Sequence, residues 1–180
     1  VPQWETYENM EHAYVIEVPS SWTVEDEDKD SILFRQPSQM AYLRVYAVDS
    51  TAYDTLDSYA DAVVDWRESK AEIVFEVISR GDHALPSGLV AVRLAYRWHS
   101  DTKHCEEYRI EVLLFAGARA YGLLGGMCKE SIAEYGTVVE AMQNSFVVFA
   151  AAPLAPTPNP VHTETCIATW ADLATSVGEV

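Results

Sequence analysis

The chain has 180 residues, 49% of them hydrophobic, and carries 28 Asp or Glu against 12 Lys or Arg, a formal net charge of −16. That is enough apolar sequence for a packed core and too much for a disordered chain, and the length suits one domain with an extension. So acidic a protein repels phosphate backbones, which argues against a nucleic-acid partner. Residues 1–65 hold fourteen acids and three bases, residues 66–149 eleven and nine, so the excess lies on the first third. It reads as a solubilising surface, with a docking face for a basic partner or cations as the sharper alternative. No apolar run is long enough to span a bilayer. The opening Val1-Pro2-Gln3-Trp4 has no basic segment and no signal-peptide core, so the chain is either intracellular or past a removed targeting segment.

In chain order, Tyr14, Ile16 and Val18 alternate as a strand, Pro19-Ser20-Ser21 turns, and Trp22 anchors a short second strand. Residues 25–30, nearly all charged, read as an exposed turn. Residues 32–34 and 42–48 are strands rich in β-branched and aromatic residues. Leu56, Tyr59, Ala60, Val63 and Trp66 form one helical stripe, with Asp54 as the candidate N-cap and an end near Ser69. Strands are expected over 73–80, 89–98, 106–115 and 119–127, the last returning after the Ala116-Gly117-Ala118 turn. Gly122, Gly125 and Gly126 mark bulges or close helix packing in that last strand. Ile132, Tyr135, Val139, Met142 and Phe146 predict a second helix, with Gly136 as an interruption. Residues 150–160 carry four prolines and read as an extended linker, and 161–180 as a tail with a short amphipathic stripe.

These residues resemble the PsbP-like family, named for a lumenal accessory protein of photosystem II and common among bacterial secreted or lipid-anchored proteins. The resemblance rests on the Tyr14-to-Trp22 opener, on Ile32-Leu33-Phe34, on Leu56 with Tyr59-Ala60, on Arg119-Ala120-Tyr121-Gly122-Leu123, and on Met142 with Ser145-Phe146. It covers roughly residues 4–149 and implies an α+β fold, an antiparallel sheet between helices in an α-β-α sandwich. It also implies an accessory or binding role without catalysis, and supplies no active-site residue. The domain is therefore placed at 1–149.

No nucleophile elbow, phosphate loop, dinucleotide fingerprint or zinc-protease motif is present. His99, Asp101, His104 and Cys105 share a loop but match no compact ligand motif. Asp26, Asp28 and Asp30 alternate as in a calcium loop, yet the sixth and twelfth positions are Ser31 and Pro37. No metal and no cofactor is expected.

Residues flanking the Gly117-Ala118 turn pair with index sums near 235, which brings Cys105 close to Cys128 and predicts a disulfide, a bulge at Gly125-Gly126 absorbing the offset. A disulfide implies an oxidising, extracytoplasmic compartment. The hairpin before it, paired on a sum of 204, sets Arg97 opposite Glu107 and Arg93 opposite Glu111 as a salt-bridge ladder. The helix after it covers that face in the alternative reading. In the tail, Cys166, Ile167, Trp170 and Leu173 form a candidate docking element for a protein partner or a second copy, with docking back onto its own domain as the alternative. The function expected is a non-enzymatic extracytoplasmic accessory or binding protein, secreted or held at a cell or membrane surface, and a subunit of a larger assembly. The alternative is a small-molecule or metal-ion carrier with a pocket between sheet and helix.

Overall fold

A computed structural model describes residues 2–70, 73–100, 105–149 and 169–178. Among the described residues ten strands and three α-helices follow one another as β1 (Trp4–Asn9), β2 (Tyr14–Pro19), β3 (Thr23–Asp28), β4 (Ser31–Arg35), β5 (Ala41–Asp49), α1 (Leu56–Glu68), β6 (Ile73–Ala84), β7 (Val90–Ser100), β8 (Glu107–Ala116), β9 (Arg119–Cys128), α2 (Ile132–Asn144), β10 (Val147–Val148) and α3 (Trp170–Gly178). Seven strands make one antiparallel sheet in the order β3-β4-β5-β9-β8-β7-β6, and β1-β2-β10 make a smaller one. Helix α1 packs on one face of the large sheet, across β6 to β8; α2 packs on the other face with α3 and the small sheet. This is the expected α-β-α sandwich. Among the described residues no helix is long and apolar enough to cross a membrane.

Both faces of the central strands are therefore buried. Val92, Leu94, Tyr96, Trp98, Leu113 and Leu124 lie under α1, while Ile110, Val112, Leu123, Val139, Met142 and Phe146 fill the opposite layer. The alternation read from the sequence is real, but each face has a cover of its own.

Local differences from the sequence reading have simple causes. Most of the acidic run is strand β3, not turn: it is the edge strand of the large sheet, and its register shifts between Asp26 and Asp28. Strand β1 carries few apolar residues because it is the edge of the small sheet and mostly exposed. Helix α1 is capped by Thr55, not Asp54: Thr55 Oγ1 accepts from Ser58 N and Ser58 Oγ accepts from Thr55 N, each at 3.0 Å. Its buried stripe turns inward at Arg67 and leaves Trp66 52% exposed. Helix α2 runs through Gly136 without a break.

Strand β8 pairs with β9 in a regular register that ends at Glu107 opposite Cys128. Cys105 lies just beyond the last pair and forms the disulfide with Cys128, their Cα atoms 5.7 Å apart. No bulge at Gly125-Gly126 is needed, because the offset falls past the end of the ladder. With the cysteines 23 positions apart in sequence, the cross-link contributes about 2–4 kcal/mol. We expect neither cysteine to be alkylated before reduction in an intact-mass experiment, and the reduced protein to unfold at lower urea concentration.

The β7–β8 pairing runs one residue away from the expected register. Trp98 faces Glu107, Leu94 faces Glu111, Arg97 faces Tyr108 and Arg93 faces Val112. A slip of one residue moves a side chain to the other side of a sheet. The expected Arg97–Glu107 and Arg93–Glu111 ladder is therefore absent: those arginines and glutamates lie on opposite faces. Arg97 pairs instead with Glu76 and Glu106, at 2.8 and 3.2 Å.

His83 on β6 is partly buried, its Nε2 has no hydrogen-bond partner among the described residues, and burial, seconded by Arg93, lowers its pKa to about 4. The folded protein then holds His83 neutral while the unfolded chain protonates near pH 6.5. Its contribution is complete above that pH and is lost as pH falls towards 4. Between pH 7 and 5 the loss is about 1–2 kcal/mol, and His83→Gln should remove that part of the pH dependence in urea titrations.

Candidate functional site

Under α1 the large sheet carries a layer of aromatic rings and charges that begins with glycine. On β9, Gly122 lies opposite Tyr46 and Gly126 opposite Tyr42 of β5. A methyl group at 122 would land within the Tyr46 ring, and one at 126 would sit 2.5 Å from the Tyr42 ring. With hydrogen in its place, each ring lies flat across β9 and delivers its hydroxyl to β8. Tyr42 donates to Glu107 Oε1 and Tyr46 to Glu111 Oε1, both at 2.5 Å. From the other side Tyr96 of β7 donates to Glu111 Oε2 at 2.8 Å.

Two arginines complete the layer. Arg109 Nε donates to Glu107 at 2.6 Å, and its guanidinium lies 4.1 Å from the Trp98 ring centre. Arg67 reaches down from α1 and donates from Nη2 to Glu111 at 3.3 Å. Glu111 is wholly buried and Glu107 nearly so. Burial pushes the Tyr42, Tyr46, Tyr59 and Tyr96 hydroxyls above the ordinary phenol range, so all four stay protonated, and those of Tyr42, Tyr46 and Tyr96 donate. Each carboxylate is thus spent on charged and phenolic donors and closed to water. The layer orients side chains; what it offers a solute is its open side.

That side is a groove. Helix α1 leaves the β4–β5 part of this face uncovered, and a cavity of about 750 Å³ lies there. Ser31, Arg44, Tyr46 and Val48 of the strands line it, with Tyr59, Val63, Trp66 and Arg67 from α1, Tyr53 before α1, and Lys29 and Asp30 from the β3–β4 turn. The volume is that of a small-molecule site. Arg67 and Lys70 stack on Trp66 at 4.6 and 4.7 Å from its ring centre, and fix a half-exposed indole at the rim.

The sequence-predicted positions are placed otherwise. Trp170 and Leu173 are 0% exposed and belong to the core of this same chain. That corrects their expected role as an outward docking element: helix α3 seats on α2, and Gly125 and Gly136 make room for the indole. Cys166 and Ile167 lie outside the described residues, as do Asp101 and His104. Cys105 is committed to its disulfide, and Asp30 pairs with Lys29 at 3.5 Å. Among the described residues no group of three His, Cys, Asp or Glu is placed to hold a metal. The layer beneath the groove went unread as a unit in the sequence, although a signal exists: Tyr42/Tyr46, Glu107/Glu111 and Gly122/Gly126 share one spacing of four on three adjacent strands.

No family model matches the sequence. No curated protein matches it either. Solved structures do. Cyanobacterial PsbP (CyanoP) from Synechocystis sp. PCC 6803 superposes with a TM-score of 0.66 at 14% identity, over 83% of this chain and 94% of that one. The PA94 protein from Pseudomonas aeruginosa gives 0.56 at 16% identity, over 87% and 99%. A point mutant of the protein Mog1 gives 0.57 at 9% identity, over 81% and 96%. At these identities the likeness is one of fold: the chain is an α+β sandwich of the PsbP type.

Proposed function

We propose that the protein is a non-enzymatic accessory or binding protein that works outside the cytoplasm, secreted or held at a cell surface, and that its binding element is the groove between α1 and strands β4–β5. The observation that carries this reading is the half-exposed Trp66 at the rim of a 750 Å³ cavity whose wall includes the buried Arg67. An exposed tryptophan held by two cations is an anchor for a partner molecule. The Cys105–Cys128 disulfide supports the compartment, since such bonds persist in oxidising surroundings. The saturated carboxylates of the layer below support a binding role over catalysis. The groove also gives form to the carrier reading, a pocket between sheet and helix. A thermal-shift screen of small amphipathic solutes, run on wild type and Trp66→Ala, tests the proposal. Stabilisation of the wild type that disappears in the variant supports the groove; stabilisation shared by both places binding elsewhere.

A further inference from the structure

We infer that the groove takes a small aromatic anion, a flat ring system bearing a carboxylate; this rests on the groove being the binding element. The chain has 12 Lys or Arg against 28 Asp or Glu, yet the groove is lined by Lys29, Arg44 and Arg67 and by a single acid, Asp30. Asp30 is paired with Lys29, and Glu111 holds Arg67 from beneath the groove floor. The balance within the groove is reversed relative to the whole molecule, which favours an anion there.

Arg67 is 7% exposed and spends Nη2 on Glu111, while its Nε is buried with no hydrogen-bond partner among the described residues. A guanidinium so placed has a fixed geometry for a planar carboxylate. Trp66 offers a ring at the rim, and Tyr53 and Tyr59, with centroids 4.7 Å apart, close one end with aromatic surface. Tyr46 and Tyr59 remain neutral phenols and add no negative charge to repel the ligand.

Isothermal titration with naphthoate, neutral naphthylmethanol and cationic naphthylmethylamine tests the inference. Naphthoate should bind at least about tenfold more tightly than the other two. Trp66→Ala should weaken every ring compound, whereas Arg44→Gln and Lys29→Gln should weaken naphthoate alone; circular dichroism confirms that each variant is folded. If the three compounds bind alike and all depend on Trp66, the groove stands as a binding element and the anion inference falls. If none binds at millimolar concentration, both fall. Naphthoate binding that ignores all three substitutions overturns the inference as well.

Discussion

Replacing Trp170 with alanine should lower the unfolding free energy by about 3–5 kcal/mol, and removing everything after residue 152 should cost at least as much. The indole is completely buried and touches the two places where the adjacent layers are thinned to glycine. A Cβ on Gly136 would lie 2.8 Å from the Trp170 Cβ, and one on Gly125 would lie 3.2 Å from its ring. Gly125 and Gly136 carry no side chain that could move into the space the indole leaves. Trp170 Nε1 has no hydrogen-bond partner among the described residues, which offsets part of the gain from burial and favours the lower half of the range. The helix is locally well started: Thr169 Oγ1 accepts from Asp172 N at 3.0 Å and donates to the Asp172 carboxylate at 2.9 Å. Urea titration followed by far-ultraviolet circular dichroism measures the effect. A change below about 0.5 kcal/mol would mean that α3 does not occupy this seat in solution.

Glu111→Ala should be comparably damaging, about 3–5 kcal/mol, for a different reason. It leaves the Arg67 guanidinium without its partner at a buried position and strips the acceptor from the Tyr46 and Tyr96 hydroxyls. An orphaned buried donor costs about 1–3 kcal/mol, more when charged. The comparison that isolates this cause is Glu111→Leu combined with Arg67→Met, Tyr46→Phe and Tyr96→Phe. That variant removes donors and acceptor together, and should recover most of the stability that Glu111→Ala alone loses. If it is no more stable than Glu111→Ala, the cost lies in packing and not in unmatched polarity. The groove sits on this layer, so Glu111→Ala should also lower near-ultraviolet signals from the surrounding rings.

The sequence by itself determined most of the strands and helices, and the sandwich was what their resemblance to the PsbP-like family implied. Period-two alternation over β7 and β8, the apolar stripes of α1 and α2, and the tight turn at Gly117-Ala118 are local properties, and the structure realises them, with the stripe of α1 buried at Leu56, Tyr59 and Ala60 but not at Trp66. The Cys105–Cys128 bond was legible too, because two strands joined by a short turn have a register that counting recovers. The β7–β8 pairing was not, since residues 101–106 between the strands allow more than one register, and one residue decides which face a charge occupies. The fate of Trp170 was equally undecided. An amphipathic helix after a proline-rich segment has an apolar face but no address, and only the matching holes at Gly125 and Gly136, on two other elements, supply one. The groove is decided by tertiary structure for the same reason. Where α1 lies across a seven-stranded sheet, and so which strands it leaves uncovered, depends on Arg80 clamping Asp57 and Asp61 and on Arg67 meeting Glu111. Those pairings join residues 19 to 44 positions apart, and no local pattern in the chain announces them.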